Sequence, residues 1–204
     1  MRRHFTAYLA TLPDERRVLL QPYKVVDVAI KVVGIGSVGT HCAIALLATD
    51  SKDLMILQIK EATTSVLEPY AGKSLYEHHG QRVVNGQKLM QAATDMFLGW
   101  YTAEKSHRQY FVRQLRDVKI SVDTATWPKS SFRSAARLAG KILARAHARS
   151  GDSLAISAYL GKNDEFEEAI STFAMQYAKL VHKDYDNFAT ACKAGALKYE
   201  EVCT

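Results

Sequence analysis

Cysteine is scarce in this sequence: three residues among 204, Cys42, Cys192 and Cys203, an odd number with no C-x-x-C spacing. That pattern argues against a disulfide framework or a cysteine zinc site and for a reducing compartment. Proline is nearly as scarce, with four, and no low-complexity tract reads as a disordered linker. No run of about 18 apolar residues offers a transmembrane helix. The opening segment MRRHFTAYLATLPDERR has the positive start of a signal peptide but lacks its apolar core. A dense basic patch is missing as well. The formal charge is +6, yet Lys and Arg are spread along the chain rather than clustered into the stripe that nucleic acid requires. These absences lead to the expectation of a soluble, cytoplasmic chain with neither a membrane nor a nucleic-acid partner.

The length suffices to bury roughly 70% of the unfolded surface, so a real core is available. Residues 2–11 and 14–20 read as short helices broken at Pro13, with Asp14 and Glu15 at the positive end of the second. VVDVAIKVV, THCAIALL and, after the polar turn TDSKD, LMILQIKEA are β-rich runs. They predict a three-stranded antiparallel meander over residues 25–62. Residues 74–94 predict a helix, weakened by Gly80 and Gly86 at about 1 kcal/mol each. DMFLGWY and RQYFVRQLRD predict a hairpin across TAEKSHR, and TWPKSS marks a boundary. Beyond it, residues 132–149 place Phe132, Ala136, Ala139, Ile142, Leu143 and Ala146 on one helical stripe. Residues 164–182 do the same with Phe166, Ile170, Phe173, Tyr177 and Leu180. The expected fold is α+β: an antiparallel five-strand sheet with one helix, followed by an α-helical C-terminal part. The expected organisation is a helical segment 1–24, a glycine-loop sheet 25–126 and a helical region 127–204.

Gly34, Gly36 and Gly39 spell G-x-G-x-x-G, a spacing that lets backbone approach phosphates closely. A dinucleotide-binding loop needs a helix directly after the glycines, but THCAIALL favours a strand. A P-loop needs Gly-Lys-Ser/Thr, which does not follow. What is left is a glycine-rich hairpin of the protein-kinase type, lying over ATP phosphates through Gly34, Gly36, Ser37 and Gly39. That reading calls for a lysine on the next strand, and Lys60 of ILQIKEA occupies that place. Its compact ammonium on a long stem suits α- and β-phosphate oxygens. Glu68 and Glu77 are both candidates for the acidic partner that would hold it. His41 departs from the pattern, which has a valine there. The plain alternative is a tight glycine hairpin with a surface lysine.

KVVGIGSVGT, LQIKEA, SVLEPY, HGQRVVNGQKLMQAATDMFLGW, YFVRQLRDVK and LARAHARSGD closely resemble the bacterial domain of unknown function 2252 family, over nearly the whole chain. The resemblance implies a fold related to protein kinases and aminoglycoside phosphotransferases, with a kinase-like N-lobe sheet and ATP with Mg2+ as the cofactor. It also implies that longer members carry, upstream, a Gly-Asp-x-His-x-x-Asn-Phe-Gly stretch and an Asp-Phe-Asp-type stretch. This sequence contains neither, so it resembles the C-terminal half of such a protein.

Substitutes within the chain are few. HKDYDN offers His182, Asp184 and Asn187, but the helical period of Tyr177, Leu180, Val181, Tyr185 and Phe188 runs straight through it. HARSGD offers His147 and Asp152 as weak catalytic candidates, with Arg149 between them. His78 and His79 are neighbours that point about 100° apart on a helix, which does not suit one metal ion, and no metal site is expected. Trp100, Tyr101, Tyr110 and Phe111 could stack a base but suit a core. Two functions follow as expectations. One is an ATP-covering phosphotransferase-like lobe, inactive alone, that works with a separately encoded catalytic half. The other is a non-catalytic nucleotide-binding or interaction module, or a truncated remnant, with self-association covering its bare surface.

Overall fold

A computed structural model of the chain describes residues 2–31, 39–115 and 123–197. Two short helices, α1 (Arg2–Leu9) and α2 (Asp14–Leu20), precede three strands, β1 (Lys24–Ile30), β2 (Cys42–Ala48) and β3 (Leu54–Glu61). Helices α3 (Glu68–Ala71) and α4 (His79–Met90) follow, then strands β4 (Gly99–Thr102) and β5 (Gln109–Gln114). The remainder is helical: α5 (Lys129–Ser150), α6 (Ser153–Leu160) and α7 (Glu165–Lys193). By contacts the chain forms two compact units, Met1–Gly151 and Asp152–Thr204.

The five strands make one antiparallel sheet in the order β1-β2-β3-β5-β4. The expected meander is present, and its second turn is closed as its residues predict. The Thr49 N–H donates to the Asp53 carbonyl at 3.1 Å, and Lys52 takes a φ of 69°. Alternation then assigns the faces. Leu57 and Ile59 of β3, Ala45 and Leu47 of β2, Val25 and Val28 of β1 and Val112 of β5 share one face in the ladder registers. Against that face pack Tyr8 of α1, Leu12, Leu20 of α2 and Phe97, forming the buried core. Helices α1 and α2 therefore belong to the same unit as the sheet.

The other face carries Cys42, Gln58, Lys60, Trp100 and Phe111. Helix α4 covers its β4–β5 end: the His78 ring lies 6.4 Å from the Trp100 ring and its Nε2 is 3.1 Å from the Thr102 hydroxyl. The His79 N–H donates to Gln109 Oε1 at 2.6 Å. The approach is close enough to require glycine at position 80, where a Cβ would stand 2.9 Å from the Tyr110 carbonyl carbon.

The helix boundaries differ from expectation in places. The helix expected over 74–94 spans only His79–Met90, because His78 closes its start: its ring Nδ1 accepts from the Gln81 N–H at 3.1 Å. At the other end Gln91 is already extended. Helix α6 falls within the expected helical region 127–204, where it was not delimited, and α7 runs on to Lys193. Within the second unit, Tyr159 meets Phe166 edge-on at 6.0 Å and Phe173 stacks on Tyr177 at 5.6 Å. No residue of α5, α6 or α7 is buried. No helix among the described residues is long and apolar enough to cross a membrane.

Candidate functional site

Gly34, Gly36 and Ser37 lie outside the described residues. Gly39 lies within them, at the start of the return into β2, with φ of 81°, a conformation that L side chains rarely adopt. Strand β2 follows it directly, so no helix begins at the last glycine.

Lys60 is half-buried near the end of β3 and pairs across the ladder with Cys42, three residues after Gly39. On its other side it pairs with Phe111. Its side chain thus stands on the sheet face that α4 covers further along. Among the described residues Lys60 forms no ion pair. Helix α4 contains no Asp or Glu. Glu68 opens the short α3, and Glu77 is exposed two residues before α4.

Beside Lys60 on the same face is a buried polar group. Gln58 is only 3% exposed; its Oε1 accepts from Arg113 Nε at 3.0 Å, and its Nε2 lies 3.8 Å from Cys42 Sγ. A buried amide satisfied on both ends fixes the β2–β3–β5 register.

The neighbouring Glu61 projects from the opposite face and gathers the ends of three segments. Its Oε2 accepts from the His41 N–H at 2.9 Å and lies 2.8 Å from His41 Nδ1. Arg108 Nη1 reaches its two carboxylate oxygens at 3.2 and 3.1 Å and also meets the His41 ring. Burial alone would raise the Glu61 carboxyl, but donation from His41 and the Arg108 charge outweigh it and hold the pKa below its usual value. Nothing in the sequence pattern announces Glu61 or Arg108, because their partners come from segments 20 and 47 residues away.

The other candidates lie on or beside the helices. Asp152 caps α6: its Oδ1 accepts from the N–H groups of Leu154 and Ala155 at 2.9 and 3.1 Å. His147 is exposed in the last turn of α5, and Arg149 Nε donates to the Leu89 carbonyl at 3.0 Å. His182, Asp184 and Asn187 lie within α7, as their helical period requires. His78 and His79 diverge, the second toward the Thr64 hydroxyl at 3.3 Å. Among the described residues no three His, Cys, Asp or Glu side chains form a group that could hold a metal. On the core face Tyr101 and Tyr110 stack at 5.3 Å, and burial pushes the Tyr101 hydroxyl up to about 12.

The family described as "Uncharacterized protein conserved in bacteria (DUF2252)" matches residues 1–191. The chain belongs to this family. Neither curated proteins nor solved structures yield a match.

Proposed function

We propose that this chain is the nucleotide-covering lobe of a kinase-like phosphotransferase and that it transfers no phosphoryl group by itself. The observation that carries the reading is the position of Lys60. It stands on β3 opposite Cys42, itself three residues after Gly39 in sequence, with no carboxylate partner among the described residues. The sheet order β1-β2-β3-β5-β4, with α4 between β3 and β4, supports the same reading. A kinase-type lobe needs its helix on the lysine's face, and the bonds from α4 to Thr102 and Gln109 agree with that need.

These residues fit the phosphates of ATP better than its metal. The Lys60 ammonium would supply a phosphate contact, as a donor to a polyanion should, and the glycines suit close approach of backbone to phosphate. The nucleotide would bring charge for Lys60 to meet, with Glu68 or Glu77 drawn toward it once the site fills. Magnesium needs carboxylates, and the candidates Asp152 and Asp184 are a helix cap and a mid-helix residue. Phosphoryl transfer draws its rate from metal ions and a positioned base. Phosphate contacts alone hold substrate and transition state alike. In this reading the carboxylates come from a separate catalytic half.

A second reading is favoured by one observation, the bare apolar stripes of α5 and α7. Phe132, Ile142, Phe173, Tyr177 and Phe188 are all about half exposed or more. In that reading the chain is an interaction module and the stripes are contact surface, covered by a second copy.

Isothermal titration of Mg-ATP into wild type and Lys60→Ala separates the two. Weak binding that Lys60→Ala removes is the outcome expected of the lobe. Absence of binding in the wild type would leave the interaction module as the better account.

A further inference from the structure

Eight of the 27 Lys and Arg residues stand on two packed helices. Helices α4 and α5 carry Lys and Arg but no Asp or Glu. On α5 the cations recur at every fourth position, Lys129, Arg133, Arg137, Lys141, Arg145 and Arg149. Like charges four apart on a helix repel one another, so this row costs stability unless an anion relieves it.

Where α4 and α5 meet, a groove of about 980 Å³ opens. Arg145 and Arg149, one turn apart, line it from α5, and Arg82 lines it from α4. Its floor is apolar, built from Val83, Met90, Ile142 and Ala146, and among the described residues no carboxylate lines it. Two of the guanidiniums are held in place: Arg82 Nη2 donates to the Thr63 carbonyl at 2.8 Å and Arg149 Nε to the Leu89 carbonyl. Arg82 Nε is buried without a partner, and Arg145 has no hydrogen bond or ion pair among the described residues. Gly86 sits in the middle of α4, where alanine would be better by about 1 kcal/mol. Packing does not demand the glycine, since a Cβ there meets nothing within 4 Å. What the missing side chain does is keep the groove open.

We propose that this groove binds a small organic phosphate, its phosphate on Arg145 and Arg149 and its apolar body on the floor. Guanidinium forks match phosphate oxygens bidentately, and the volume lies in the range of small-molecule sites. The concave apolar floor favours a compact ligand over a nucleic-acid strand, which would follow the convex row of α5.

The test is a fluorescence titration of the full chain with 1-naphthyl phosphate. Saturable binding is expected, with 1-naphthol and inorganic phosphate each about tenfold weaker. Arg145→Gln and Gly86→Met should each weaken binding by about tenfold while far-ultraviolet circular dichroism stays unchanged. Lys60→Ala should leave it intact, which keeps this site distinct from the nucleotide proposal. The proposal is overturned by absence of saturation, or by wild-type affinity in both groove variants. It is equally overturned if a short single-stranded oligonucleotide binds more tightly than 1-naphthyl phosphate and does so regardless of Gly86→Met.

Discussion

His41 and Glu61 bind each other through both main chain and side chain. The Glu61 N–H donates to the His41 carbonyl at 2.8 Å, while the His41 N–H and ring both meet the Glu61 carboxylate. The pair ties the first residues after the glycine turn to the end of β3, and Arg108 draws the β4–β5 hairpin into the same knot. One carboxylate thereby fixes the strand end that carries Lys60.

Glu61→Gln should destabilise the first unit by about 1–3 kcal/mol, because it removes a charged acceptor serving three donors. Its pH dependence has a definite sign. The folded-state pKa lies below the unfolded one, so the contribution is complete above the unfolded value of about 4.3 and disappears as pH falls through the lower folded value. Urea midpoints of wild type and variant should therefore differ most near neutrality and converge in acid. A gap that widens on acidification would contradict the network.

Two glycines of α4 should respond oppositely to alanine. At Gly80 a Cβ would stand 2.8 Å from the His78 ring and 2.9 Å from the Tyr110 carbonyl carbon, so Gly80→Ala should cost about 1–3 kcal/mol. At Gly86 the space is open, so Gly86→Ala should stabilise by up to about 1 kcal/mol. Denaturant titration of both variants measures the difference in sign.

The sheet was legible because its strands carry unbroken β-branched and apolar runs between strong turn residues, and α5 and α7 because their stripes repeat at the helical period. The start of α4 was not, since histidine is an unusual cap and its role depends on where the ring is held by Thr102. Helix α6 could have been found: Asp152 is a favoured cap residue, and SLAISAYL follows it, but the segment lacks a polar face to give a period. The place of Lys60 on β3 was readable from strand composition. The Glu61 network and the α4–α5 groove were not, because each joins residues far apart in sequence, and no local pattern encodes such pairings.

Tyr8 ties α1 to the segment that leads into β4 through its buried hydroxyl. Its hydroxyl donates to the Phe97 carbonyl at 2.6 Å, and the residue is 2% exposed. Tyr8→Phe leaves that carbonyl buried and unpaired, at a cost of about 1–3 kcal/mol. Thermal unfolding should show the loss with the far-ultraviolet spectrum unchanged; equal stability would mean that water replaces the hydroxyl.

The stripe on α7 predicts self-association. Phe173 and Tyr177 stack on each other one turn apart, 59% and 53% exposed, and an apolar band of this length draws a partner surface. Light scattering after size exclusion should give a mass above that of the monomer at high concentration, and Phe173→Glu with Tyr177→Glu should return the monomer. A wild type that is monomeric at every concentration would contradict the prediction.

The central claim is that Lys60 and the glycine turn hold phosphates but lack the carboxylates to transfer them. Steady-state ATP hydrolysis by the chain alone, with magnesium, on wild type and Lys60→Ala, tests it most directly. The account predicts no turnover above background in either. Clear hydrolysis by the wild type that Lys60→Ala abolishes would show that this chain carries its own catalytic carboxylates, and the half-enzyme account would be wrong.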